Sequence, residues 1–476
     1  MWLALAAGAA GCAVGGGRAE HRGDTVLYAS GADLQSINPL LTVHPLAKQV
    51  QRYVLLTTLA RYDSAIVPQP YLARTWTWSA DRRTLTFRLH TTVRWHDGRP
   101  TTARDVAWTL NAARNPDTGY PRLADLAAIG YVDAPTDSTV VLRFGEAQRE
   151  FPDVLTDLAI LPAHLLDTVP LVALRRAAWS QRPVGNGPFR FVAHEPNRRW
   201  VFEANDAFPP ALGGPPGLER FIVVVVDEPV TKLAALTAGE LDFAGIQPAH
   251  TAFVRRDPRL RVLDFPALLT FGVVFNVRRP PFDQHAVRRA VALALDRQEI
   301  IDGYLFGFGQ PAFGPVPPGA PGYLPPAMLP VAPDSARALL GGRRIAFEML
   351  CVGSGEAPLE QMIQARLGRV GFDVTIRQLE LSTFLDRVYG NRRDFTAAAL
   401  GVPGDLALSQ LATLAQISGA AVPRDPAESQ RAFDASLPVA FLYHARGVVA
   451  MNRRVQGVRM DLRGDLPTVA QWRTVP

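Results

Sequence analysis

Apolar and polar residues alternate at period two through Thr84-Leu-Thr-Phe-Arg-Leu-His90, which predicts a strand with one buried face. Phe221–Val226 is a continuous apolar run instead, and Ala346-Phe-Glu-Met-Leu-Cys-Val352 is apolar apart from Glu348. Both predict buried strands, Phe221–Val226 by its length and β-branching. Further strands are predicted at Thr25–Ser30, Val140–Phe144, Trp200–Glu203 and Asp373–Leu379. Apolar residues recur at helical spacing in Ala47–Leu59, Val287–Gly303 and Ala357–Val370. Asp33–Pro39 reads as a loop, and Pro and Gly cluster at Phe208–Gly217 and Gly314–Pro333. The second cluster suits a surface loop better than a domain linker. No internal repeat is visible, and strands and helices are mixed throughout. The pattern predicts an α/β architecture.

Composition agrees with a globular chain and narrows its partners. At 476 residues, length suggests roughly three domains of about 150 residues each. Hydrophobic residues make up 48% and charged residues 20%, which excludes a disordered chain. The net charge is +6, but the arginines are spread along the chain and only Lys48 and Lys232 are lysines. Nucleic-acid binding needs clustered charge, so that partner is excluded. Cys12 and Cys351 are the two cysteines. They form no disulfide framework and no zinc site, and Cys351 in its apolar run reads as a core residue.

Met1–Gly11 is apolar but shorter than the roughly 20 residues that span a bilayer. Its last residues are small, and Cys12 and a polar, Gly-rich stretch from Ala13 to Asp24 follow. Ala9-Ala-Gly-Cys12 resembles a bacterial lipobox, which implies a cleaved signal peptide, lipidation at Cys12 and a flexible tether.

The most informative segment is Val93-Arg-Trp-His-Asp-Gly-Arg-Pro-Thr-Thr-Ala-Arg-Asp-Val106. It predicts a strand ending at Trp95, a turn over His96–Gly98, and a helix capped by Thr102 with Asp105 completing a capping box. His96 and Asp97 are adjacent in sequence, so they point to opposite sides of an extended chain and do not form one catalytic unit.

This run resembles the signature of the family 5 bacterial extracellular solute-binding proteins, through Trp95, His96, Asp97, Gly98, Pro100, Thr102, Ala103, Asp105 and Val106. Ile37-Asn-Pro39, Leu72–Trp76, Val184-Gly-Asn-Gly-Pro-Phe189, Phe275-Asn276, Pro280–Ala290, Ala294–Arg297 and Gly307–Ala312 resemble further blocks of that family, in order, over about residues 24–400. The glycines of Val184–Phe189 are read as permitting a backbone turn. The resemblance implies a two-lobed α/β fold, the type II periplasmic binding protein fold, with an extra domain in the N-terminal lobe. It implies 1–23 as signal and tether. Domain I would comprise 24–50, 185–266 and 447–476, domain II 51–184, and domain III 267–446, with crossings near Phe265–Phe271 and His444–Val448.

It further implies a monomer at the membrane surface that captures a peptide or other small solute for the permease of an ABC importer, without cofactor or metal. Asp405 falls where peptide-binding members pair a carboxylate with the ligand amine, and Val402 stands where they carry an aromatic. Phe271 and Ser30 are the other expected contacts. Val352–Pro358, where dipeptide binders carry an arginine, holds Glu356 and no cation. Asp405 and Pro438 are also closer in sequence than in the family, so the third domain reads as shortened. Two alternatives stay open: a sensory binding protein without an importer, and a hydrolase on the same fold. The sequence contains no Gly-x-Ser-x-Gly, His-Glu-x-x-His, P-loop or dinucleotide fingerprint.

Overall fold

The computed structural model describes residues 23–42 and 44–475. Cys12 and the lipobox-like segment lie outside the described residues.

One eleven-stranded sheet runs through the molecule. In chain order its strands are Thr25–Ser30 (β1), Phe189–Glu195 (β2), Arg199–Ala204 (β3), Arg220–Val225 (β4), Phe243–Gly245 (β5), Leu260–Phe275 (β6), Gly309–Pro311 (β7), Ile345–Val352 (β8), Phe372–Leu379 (β9), Ala397–Pro403 (β10) and Val439–Asn452 (β11). Their order across the sheet is β9-β8-β10-β6-β11-β5-β1-β4-β3-β2, with β7 added against β11. Residues 73–144 contribute a separate four-stranded antiparallel sheet.

Period-two alternation sorts the apolar residues onto two faces, which is why the strands read as unbroken apolar runs. Toward the C-terminal half, Val273, Met349, Cys351, Ala399 and Leu442 enter one core, while Val274, Leu350, Ala398, Val402 and Phe441 enter another. In the N-terminal half, Val26, Tyr28, Phe243 and Met451 face a large core, and Ala29, Ala244 and Ala450 face a smaller one. Each fully buried phenylalanine or leucine contributes about 1.5–3 kcal/mol relative to exposure. The halves are called lobe 1 (β1 to β5) and lobe 2 (β8 to β10). Among the described residues only β6 and β11 belong to both.

Four readings of the sequence need correction, three here and that of the Val184–Phe189 glycines below. Val287–Gly303 is two helices, His285–Ala294 and Arg297–Tyr304. Asp296 caps the second by accepting from Glu299 N–H at 3.1 Å. The buried Arg297 guanidinium reaches the carbonyls of Ala312 (2.8 Å) and Phe441 (2.9 Å), which prevents a straight run. The Ala47–Leu59 helix begins at Pro45 and ends as a π-helical turn over Val50–Leu55. The segment before Trp95 is not a strand but one bridge, Arg94 with Pro100.

The capping box is present. The Asp105 carboxylate accepts from Thr102 N–H at 2.8 Å, and also from Ala163 N–H at 2.9 Å and Trp95 Nε1 at 3.2 Å. His96 and Asp97 diverge as their adjacency requires. His96 Nδ1 accepts from Gly185 N–H (3.2 Å), its Nε2 meets Gly187 O (3.1 Å), and Asp97 meets His164 at 2.8 Å. Burial pushes His96 down to about 4. Two distant sequence blocks are thereby fastened together. Gly185 and Gly187 are glycine for closeness rather than for a turn: neither has positive φ, but an added Cβ would lie 2.0 Å from Leu55 O or 2.6 Å from Leu55 C.

Candidate ligand-binding site

Strand direction determines where a solute can bind. β6 runs from lobe 1 into lobe 2. β11 is antiparallel to it, β5 is antiparallel to β11, and β1 is parallel to β5. The carboxyl ends of β1 and β5 therefore point toward lobe 2. β10 is antiparallel to β6 and β8 is parallel to β10, so their carboxyl ends point toward lobe 1. In α/β sheets, ligands sit outside the carboxyl ends of strands, and here two sets of such ends face each other.

The gap between them follows from the register. Beyond the end of β5, Ile246 N–H bonds Val448 O (3.0 Å), and Val448 is paired with Asp264. Beyond β10, Gly404 N–H bonds Leu268 O (2.7 Å). On the β6 edge, four residue steps at about 3.3 Å lead from Asp264 to Leu268, so roughly 13 Å of ribbon forms the floor, and on the β11 edge β7 begins to pair at Ala445. That suffices for an extended peptide strand, since strands lie about 4.8 Å apart and packed faces about 10 Å apart. The ladder between β6 and β11 slips twice in this segment, between Pro266 and Thr270 and between Phe271 and Gly272. Such interruptions remove ladder bonds where lobes would hinge.

The lobe 1 wall holds a cavity of about 440 Å³ at the end of β1. Ser30 lines it, but its hydroxyl donates to Ala32 O at 2.5 Å. Beside it, the Tyr28 hydroxyl is hydrogen-bonded to the Asp465 carboxylate. Burial raises the titration of both groups. His44 Nδ1 accepts from Ala47 N–H at 3.3 Å and caps the helix Pro45–Gln49, and burial lowers its titration. Lys232, on the helix Pro229–Thr237, also lines the cavity.

On the lobe 2 wall, Asp405 follows β10. Its two oxygens accept from Ser409 N–H (3.0 Å) and the Ser409 hydroxyl (2.8 Å), so it is a local cap in this conformation. Val402 is on the same strand end, but its side chain is buried in the lobe 2 core, beneath the site rather than in it. Phe271 is half-buried at the hinge and stacks on Tyr443, with ring centroids 5.3 Å apart and planes 9° apart. Glu360, in the first turn of the helix Pro358–Gly368, is raised by burial. His444 is buried beside them, its Nδ1 2.9 Å from the Thr270 hydroxyl, and burial pushes it down to about 4. Among the described residues no cluster of His, Cys, Asp and Glu could hold a metal ion.

The expected contacts thus lie on three elements, with Ser30 on one wall, Asp405 on the other and Phe271 at the hinge. Sequence reasoning did not reach Tyr28, His44, Lys232, Tyr443 or Asp465 as site residues. The scarcity of lysine was the one signal available for Lys232.

Residues 67–415 match the model for bacterial extracellular solute-binding proteins, family 5. A relative from Brucella ovis is 30% identical over 335 residues, which cover 67% of this chain and 62% of that protein. The chain thus spans less than two thirds of that relative. Di/tripeptide-binding protein 2 of Pseudomonas aeruginosa is 28% identical over 403 residues, covering 78% of this chain and 72% of that protein. Among solved structures, CtaP of Listeria monocytogenes, an ABC transporter substrate-binding protein, superposes with TM-score 0.83 at 18% identity, over 95% of this chain and 100% of that one. The oligopeptide-binding protein AppA of Bacillus subtilis, bound to a nonapeptide, gives 0.74 at 20%, over 95% and 99%. At these identities the structures establish the shared two-lobed fold.

Proposed function

The chain belongs to family 5 of the bacterial extracellular solute-binding proteins, and on that premise we propose that it captures a peptide-like solute between its lobes and delivers it to the permease of an ABC importer. The observation that carries this reading is the opposition of two sets of strand carboxyl ends across a two-strand hinge about 13 Å long. The names of relatives support the ligand class, because the Pseudomonas aeruginosa protein is named for di- and tripeptides. No covalent step is involved: the solute is held by hydrogen bonds and released when the lobes part.

The division of labour in the chain follows the same reading. Residues 24–50, 185–266 and 447–476 form domain I, 51–184 domain II with its own four-stranded sheet, and 267–446 domain III. Asp405 turns from Ser409 to the ligand's ammonium, and Ser30 and Phe271 border the cleft. The monomer is held at the membrane surface by a lipid on Cys12. No helix among the described residues is long and apolar enough to cross a membrane.

Native mass spectrometry of freshly purified protein tests the reading by identifying what co-purifies. A peptide or peptide-like solute is expected, together with a smaller radius of gyration by X-ray scattering when that solute is added to stripped protein. A stripped protein that binds no member of a peptide mixture, and whose dimensions never change, overturns it.

A further inference from the structure

Resting on the cleft as the solute site, we propose that Lys232 recognises an anion there and that the solute presents a carboxylate to the lobe 1 wall. Lys232 is one of two lysines in a chain whose other fixed cations are arginines. It is half-exposed, and its ammonium lies over the backbone at the end of β1: a Cβ on Gly31 would be 3.2 Å from Nζ. Glycine at 31 is what leaves the ammonium room.

The surroundings leave that charge without a direct ion-pair partner. Among the described residues Lys232 makes no ion pair within 4 Å. Glu228, one turn earlier on the same helix, caps it by accepting from Thr231 N–H at 2.5 Å; that bond and a smaller pull from Lys232 hold its carboxyl below the usual range, but the two side chains form no ion pair. Asp465 lines the same cavity, but its carboxyl is bonded by Tyr28. Its ionisation is disfavoured by burial. His44 accepts a hydrogen bond at Nδ1 and carries no proton there. The facing wall is acidic: Asp405 follows β10, Glu356 and Glu360 follow β8, and Val352–Pro358 contains no cation. A solute with both charges is therefore oriented, its ammonium toward lobe 2 and its carboxylate toward Lys232. An ammonium that keeps one face free and meets its anion as the lobes close gains a charge-assisted hydrogen bond. The carboxylate can be the C-terminus of a peptide or an acidic side chain.

Three synthetic probes separate these sources on the full chain by calorimetry: Ala-Leu-Ala with a free carboxyl, its C-terminal amide, and Ala-Glu-Ala amide. Wild type should bind the free acid at least tenfold more tightly than its amide. Lys232→Gln should lose that discrimination, Lys232→Arg should keep part of it, and Gly31→Ala, which displaces the ammonium, should weaken it. If Ala-Glu-Ala amide regains the lost affinity, the side chain is the source. Equal discrimination by wild type and a folded Lys232→Gln overturns the assignment and leaves the cleft intact. Failure of wild type to bind any probe overturns the assignment and the peptide reading together.

Discussion

Gly447 lies on β11 directly opposite Phe265 on β6, at the lobe 1 end of the hinge. An ideal Cβ on Gly447 would be 2.3 Å from Cζ of the Phe265 ring and 2.7 Å from each Cε. The ring is 7% exposed and packed into the lobe 1 core, so it has little room to retreat. Gly447→Ala must displace the ring or part the two strands, and forced overpacking of this kind costs about 1–3 kcal/mol. For a lobe of 150–250 residues, about 2–4 °C per kcal/mol gives a melting temperature lower by about 2–12 °C. Phe265→Ala alone leaves a cavity and costs about 3–5 kcal/mol. Once the ring is gone, the methyl at 447 meets open space. Replacing a glycine within a strand is then worth about 0.5–1 kcal/mol. Gly447→Ala should thus be neutral or stabilising in the Phe265→Ala background. Urea unfolding of the four proteins, followed by tryptophan fluorescence, should give a coupling energy of at least about 1.5 kcal/mol. Additivity within about 0.5 kcal/mol would refute the steric argument.

Asp405→Asn should weaken a peptide with a free amine by at least about tenfold, since a charged hydrogen bond is worth about 1.5–3 kcal/mol. N-acetylation should cost wild type as much and the mutant little more, whereas simple addition of the two losses would remove Asp405 from the site. His96 and His444 titrate near 4 in the folded chain because burial disfavours their charged forms, against 6.5 when exposed. The unfolded chain binds those protons first, so stability is full above 6.5 and falls as pH drops from 6.5 toward 4, by about 3 kcal/mol per histidine at the low end. Melting temperature measured from pH 7 to 4.5 should fall less steeply in His444→Asn than in wild type, and parallel curves would count against the buried-neutral assignment. Cys12→Ala should move the protein from the membrane fraction to the soluble fraction of its native host; wild type found wholly soluble would exclude lipid anchoring.

The elements that could be read from the sequence are those specified by interactions within a few residues. The turn over His96–Gly98 and the capping box of Thr102 and Asp105 span one short run, and Gly98 adopts the positive φ that such a turn requires. Thr84–Leu89 alternates because one face is buried, and in Ile345–Val352 the buried Phe347, Met349 and Cys351 share one face while Leu350 is buried on the other. Family membership was legible from the same blocks, which contain residues that fasten the fold, such as Arg297, His96 and Gly187.

Tertiary structure decided the rest, because each outcome depends on a partner far along the chain. The apolar stripe of Val287–Gly303 continues through Leu295, yet the helix breaks there, since Arg297 bonds carbonyls on Ala312 and Phe441. The helix begun at Pro45 stops at Leu55, where the amides of Asn186 and Gly187 take its last carbonyl. Val402 stands in line with Asp405, but the pairing of β10 with β6 turns its side chain into the core. Tyr28 meets Asp465 across 437 positions, and Lys232 comes over Gly31 because its helix docks at the end of β1. Local propensity and periodicity determine which segments become strands, helices and turns. Which side chains share a wall of the cleft is determined by strand register and direction, and those are properties of the assembled sheet.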